Sequence, residues 1–130
     1  MASGQPPQRP LRVLVVDDNA DAGEMLAMFL EASGHQVVVE QGAQRALERA
    51  RAEPPDVCVL DIGLPEMDGN ELARRLRAQP ETAGLRLIAV TGYGQEHDRR
   101  AALQSGFDHH LVKPVDPEKL LALVGATPPP

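Results

Sequence analysis

Five short apolar runs punctuate the chain: LRVLVV (11–16), QVVV (36–39), DVCVL (56–60), LIAV (87–90) and HLV (110–112). They are continuous rather than alternating, as expected of parallel strands covered on both faces, although a buried helical segment of that length would look the same in isolation. The intervening segments resolve the ambiguity. Ala22, Met25, Leu26, Phe29 and Leu30 fall on one helical face, and Ala43, Ala46, Leu47 and Ala50 on another, at the spacing of amphipathic helices. Gly34 is placed to end the first helix and Pro54 with Pro55 to stop the second. Asp68 with Glu71 forms a capping pattern for a third, and Asp116 with Pro117 supplies an N-cap and first position for the last. A fourth helix is expected near residues 96–105, with the weakest pattern of the set. Strand and helix thus alternate five times, and right-handed crossovers make this an α/β, doubly wound (βα)5 sheet.

Length and composition bound this picture without changing it. At 130 residues and 42% hydrophobic content the chain suits one domain with one sizeable core. Six of the twelve prolines lie in the end segments, so residues 1–10 and 126–130 read as flexible tails around a folded unit of residues 11–125. The formal charge of -6, with scattered basic residues and 2% aromatics, argues against nucleic acid as a main partner, because phosphate binding needs a basic stripe. No apolar run approaches the length of a bilayer span or follows the pattern of a secretory signal, so no membrane role is expected. A lone cysteine, Cys58 in the run VCVL, cannot form an internal disulfide and reads as a small buried hydrophobe; a reduced cytoplasm fits. His35 and His97 are expected at the surface.

In a doubly wound sheet, ligands bind outside the carboxyl ends of the strands. Four of the five runs end in chemistry there: Asp17 and Asp18 after the first, Asp61 after the third, Thr91 with Gly92 after the fourth, and Lys113 with Pro114 after the fifth. Glu40, after the second, is the weakest signal. Any one of these alone is unremarkable, since an Asp after a strand commonly serves a turn and a Lys is commonly a solvated charge. Together, three carboxylates, one hydroxyl and one ammonium at one edge suit a hard divalent cation and a phosphoryl group.

The ordered set VVDDN, VLDIGLPEMDG, AVTGYG and HHLVKPVD resembles the receiver domain of two-component response regulators, over residues 11–124. The resemblance implies a flavodoxin-like three-layer sandwich with parallel strand order 2-1-3-4-5. It implies that Asp61 accepts a phosphoryl group from a histidine kinase or a histidine phosphotransfer protein. Mg²⁺ would be held by Asp18 directly, by Asp17 through water, by Asp61 and by the Gly63 main-chain carbonyl. Thr91 would hydrogen-bond the phosphoryl oxygen, Lys113 would pair with it, and the Lys113-Pro114 bond would be cis. Thr91 and the residue three before the lysine form the switch in such domains. That residue is often Tyr or Phe, and here it is His110, so the switch depends on the protonation of an imidazole. Two positions bordering the site, Gly63 and Tyr93, lack a side-chain amide or carboxylate to orient water, which implies slow self-dephosphorylation; the opposing reading is that Gly63, with no side chain, opens the site to bulk water and makes hydrolysis fast.

Phosphoryl transfer passes through a loose transition state whose charge must be neutralised while the reacting groups are held in line. A carboxylate is a poor nucleophile toward an anion, and a cation bridging Asp61 to the incoming group removes that repulsion. Two other classes compete with this reading. A Mg²⁺-dependent aspartyl phosphohydrolase would place its nucleophile in a D-x-D arrangement after the first strand, whereas VVDDN has adjacent acids. A non-phosphorylated receiver-like interaction module would not need the intact Asp18, Asp61, Thr91 and Lys113 set. A dinucleotide site is excluded by the lack of G-x-G-x-x-G after the first strand. His109 and His110 do not read as a metal pair, because neighbours on a strand point to opposite faces. Output is expected through a downstream protein partner, either of a free-standing regulator or of a receiver at the carboxyl end of a hybrid histidine kinase.

Overall fold

A computed structural model describes residues 10–64, 67–92 and 104–125. Strand β1 (Arg12–Val16) leads into helix α1 (Ala20–Ala32). Then follow β2 (Gln36–Glu40), α2 (Ala43–Ala52), β3 (Val57–Asp61), α3 (Gly69–Ala78), β4 (Arg86–Thr91), β5 (His109–Val112) and, as the last described helix, α4 (Pro117–Gly125). The strands form one parallel sheet in the order β2-β1-β3-β4-β5. The helix expected at residues 96–105 lies almost wholly outside the described residues, as do the tails apart from Pro10, and as do Tyr93 and His97.

The continuous apolar runs arise because both faces of the central strands are buried. Leu14, Val16, Cys58, Leu60, Leu87 and Ala89 pack with residues of α2 and α3. The residues between them, Val13, Val15, Val57, Val59, Ile88 and Val90, pack with Leu30 of α1 and Leu120 and Val124 of α4. Cys58 is fully buried, and that burial pushes its thiol pKa up, as for an inert core residue.

The helix ends follow the sequence signals with one exception. Asn19 caps α1 by accepting from Ala22 N–H at 3.1 Å, and Gly34 follows its end at φ +100, a conformation that favours glycine. Asp116 accepts from Glu118 N–H at 2.9 Å, and Asp68 from Asn70 N–H at 2.7 Å. The expected reciprocal half of the α3 cap differs: Glu71 turns outward to Arg74 and Arg75, at 2.9 and 3.1 Å. Two guanidiniums stabilise the carboxylate more than a single backbone N–H would, and they lower its pKa. At the other end of the fold, buried Arg86 donates to the carbonyls of Leu123 and Val124, satisfying acceptors that the end of α4 leaves open.

Two expectations are corrected. Met25, placed on the buried face of α1, is 71% exposed, Met28 is exposed as well, and the buried stripe is Gly23, Ala27 and Leu30. The helix is apolar over most of its circumference, so periodicity could not select a face. The small residues decide it: a Cβ at Gly23 would lie 3.0 Å from Val39 Cγ1, so glycine permits the close approach of helix to sheet. His35, expected at the surface, is buried, with its Nδ1 accepting the Leu11 N–H at 3.2 Å.

Candidate phosphoacceptor site

Because all five strands run the same way, their carboxyl ends share one edge, and this edge gathers the residues singled out from the sequence. Asp61 and Thr91 are the last residues of β3 and β4, while Asp17 and Lys113 directly follow β1 and β5. Backbone bonds fix these exits. Asp17 N–H donates to Glu40 O at 3.1 Å, Ile62 N–H to Val90 O at 3.0 Å, and Lys113 N–H to Thr91 O at 2.9 Å. The Lys113-Pro114 peptide is cis, as expected.

Carboxylate oxygens of Asp17, Asp18 and Asp61 all lie within 4.8 Å of one another. Asp61 is buried and held at both oxygens. Its Oδ1 accepts the Gly63 N–H at 2.9 Å, and its Oδ2 accepts from Lys113 Nζ at 3.0 Å. Asp17, also buried, has its Oδ1 held by the Asn19 N–H at 2.9 Å. Asp18 is exposed at the mouth.

The electrostatics follow from this crowding. Burial raises the Asp17 pKa above the ordinary carboxylate value, and the charges of Asp61 and Asp18 add to it; the Asn19 hydrogen bond and Lys113 only partly offset this. For Lys113, burial opposes the charged form. The hydrogen bond to Asp61 and the attraction of all three carboxylates outweigh it, so its pKa rises and the ammonium persists. The three carboxylates form a hard-oxygen donor set whose negative charge exceeds that of the single ammonium beside it, which fits a divalent cation such as Mg²⁺.

On the other side of the Asp61 strand, Thr91 is buried and its Oγ1 lies 2.7 Å from His110 Nε2. The structure therefore brings Asp17, Asp18, Asp61 and Lys113 into one cluster and joins Thr91 to His110. Gly63 contributes its N–H to Asp61.

Two residues at the site escaped sequence reasoning. Asn19 connects Asp17 to α1, since its N–H holds the carboxylate while its side chain caps the helix; its place before a helix start was a usable signal. Gly69 had no such signal. A Cβ there would meet Ile62 Cα at 2.6 Å and Asp61 O at 2.9 Å, so α3 begins against the backbone that carries Asp61. Gly69→Ala is expected to destabilise the fold by about 2–3 kcal/mol, since backbone atoms on both sides must shift. Urea unfolding monitored by circular dichroism measures this, and a loss below about 0.5 kcal/mol, the level of an ordinary surface substitution, would show that the contact relaxes freely.

The family model "Response regulator receiver domain" matches residues 13–125. Protein PilH of Pseudomonas aeruginosa is 36% identical over 115 residues, covering 88% of this chain and 95% of that protein. A response regulator structure from Chloroflexus aurantiacus superposes with a TM-score of 0.85 at 31% identity, covering 89% of this chain and 95% of that one. A response regulator from Burkholderia pseudomallei, solved with a phosphorylated aspartic acid, a calcium ion and citrate, superposes at 0.80 with 30% identity, over 89% of this chain and 66% of that one. With the sheet order, the acidic cluster and the lysine that closes it already in place, the chain belongs to the response regulator receiver domain family.

Proposed function

We propose that this receiver domain is a phosphoacceptor: Asp61 takes a phosphoryl group from a phosphohistidine of a histidine kinase or histidine phosphotransfer protein. The observation that carries the reading is the Asp61 carboxylate, held between Gly63 N–H and Lys113 Nζ and within 4.8 Å of two further carboxylates. The phosphorylated aspartate of the Burkholderia pseudomallei relative supports it by analogy. In the transfer, an Asp61 oxygen forms the new O–P bond as the P–N bond to the donor imidazole breaks. Lys113 exchanges part of its contact with Asp61 for a phosphoryl oxygen, and the Thr91 hydroxyl donates to another. Asp17, Asp18, Asp61 and the Gly63 carbonyl are the residues that would hold Mg²⁺, which when bound supplies charge neutralisation and a template for the in-line geometry.

Receiver output then passes to a downstream protein partner through repacking around Thr91 and His110. No helix among the described residues is long and apolar enough to cross a membrane, which is compatible with the cytoplasmic setting that the buried thiol suits. Incubation with acetyl phosphate and Mg²⁺, followed by intact-mass analysis, tests the proposal. One added phosphoryl group is expected, and an unmodified mass under conditions that modify a known receiver would refute it.

Lys113 has a narrower role in this scheme. Lys113→Ala is expected to slow phosphorylation by about 10- to 100-fold, the range for losing one hydrogen bond to a charged group, while leaving an adduct measurable. Amide-shift changes away from the site should shrink more than adduct yield does. Equal remote shifts in fully phosphorylated wild type and variant would sink the assignment of Lys113 to signal output.

A further inference from the structure

The contact between Thr91 and His110 follows from the pairing of β4 and β5. In the register, Ala89 stands opposite His110 and Thr91 opposite Val112, so Thr91 and His110 share a face as a diagonal pair. Such diagonal neighbours stand about 7–8 Å apart, with their Cβ atoms somewhat closer, within reach of a long side chain carrying its polar atom at the tip. His110 meets this requirement with Nε2, and the small side chain of Ala89 beside it leaves room for the ring. At 2.7 Å, Thr91 Oγ1 and His110 Nε2 share one proton.

Which atom owns that proton decides what Thr91 can do. A hydroxyl has a single proton to donate. If Thr91 donates it to an unprotonated Nε2, an oxygen arriving at Asp61 meets only lone pairs on Oγ1. If Nε2 carries the proton and donates it, the hydroxyl accepts from histidine and keeps its own proton for the phosphoryl oxygen.

We infer that His110 is a positioning residue for Thr91, with its Nε2–H donating to Thr91 Oγ1 and thereby orienting the hydroxyl proton toward a phosphoryl group on Asp61. This goes beyond the phosphoacceptor reading and rests on it. The link between the site and β5 is then a directional hydrogen bond, rather than the filling of space by a ring. A phenylalanine at this position reproduces the ring without the donor. A glutamine places an amide N–H close to where Nε2 sits.

The test uses the full chain as wild type, His110→Phe, His110→Gln and, as the reference lacking the hydroxyl, Thr91→Val, with acetyl phosphate and Mg²⁺ as the phosphoryl source. Melting temperatures establish that each is folded. In wild type, the His110 Nε2 ¹⁵N resonance is expected in the protonated range once Asp61 is phosphorylated. His110→Phe is expected to accept the phosphoryl group but to lose about fivefold in the population reaching the phosphorylated conformation, the loss expected for one hydrogen bond. His110→Gln should recover most of that response. An unprotonated Nε2 in the phosphorylated protein, or equal amide-shift responses in the Phe variant and wild type, would overturn the inference while leaving Asp61 as acceptor. A Phe variant that does not fold leaves the ¹⁵N measurement and the Gln variant to decide, and a folded Gln variant with no better response than Thr91→Val overturns it. Wild type that takes no phosphoryl group overturns the phosphoacceptor reading, and this inference with it.

Discussion

Asp61→Asn, treated with acetyl phosphate and Mg²⁺, is expected to show no aspartyl phosphate, with adduct below about a hundredth of the wild-type level, because a neutral amide is not a competent nucleophile. The substitution is a mild one structurally. An asparagine oxygen can still accept the Gly63 N–H or the Lys113 ammonium that hold the two Asp61 oxygens at 2.9 and 3.0 Å. Loss of the adduct therefore reports chemistry rather than unfolding, which an unchanged melting temperature would confirm. Asp17 and Asp18 are the neighbours that could substitute as acceptor, yet the Lys113 ammonium bonds Asp61 rather than either of them. Peptide mapping of the wild-type adduct should place the group on Asp61. An adduct of wild-type yield in Asp61→Asn would remove the central assignment.

Removing divalent cations is expected to have an effect of similar size. Three carboxylates within 4.8 Å are matched by one ammonium, so an incoming phosphoryl anion meets surplus negative charge. Two unit charges at that separation repel by about 3 kcal/mol at a near-surface dielectric of 20. With each 1.36 kcal/mol worth tenfold in rate, phosphorylation in EDTA should fall by at least about 100-fold. Millimolar Mg²⁺ should restore the rate, and it should also raise the melting temperature, because a cation that binds the folded site stabilises it. The Asp17→Asn, Asp18→Asn double variant should lose both responses. Its metal-free form should melt no lower than metal-free wild type, since the substitutions remove like-charge repulsion and the burial cost that raises the Asp17 pKa. Phosphorylation at an unchanged rate in EDTA would show that Lys113 alone suffices to neutralise the site.

The alternation of apolar runs with amphipathic segments specified the sheet, because a strand buried on both faces must be continuously apolar, as VLVV and VCVL are. Strand polarity then placed Asp17, Asp18, Asp61, Thr91 and Lys113 at one edge, and the family resemblance supplied the strand order and the cis peptide. Those features were legible because they depend on residue type and on position along the chain. The face of α1 was not: its apolar residues surround the helix, and the choice of Gly23, Ala27 and Leu30 over Met25 depends on how closely Val39 approaches. His35 looked like a surface residue until the backbone N–H of Leu11, distant in sequence, supplied its partner. The need for glycine at position 69 lies in its packing against the Ile62 and Asp61 backbone, and the meeting of His110 with Thr91 lies in the β4–β5 register. Each is a contact between segments far apart or newly juxtaposed, set by distances of a few ångströms. Periodicity and composition determine which elements form and in which direction they run, whereas only the packed structure decides which atoms touch.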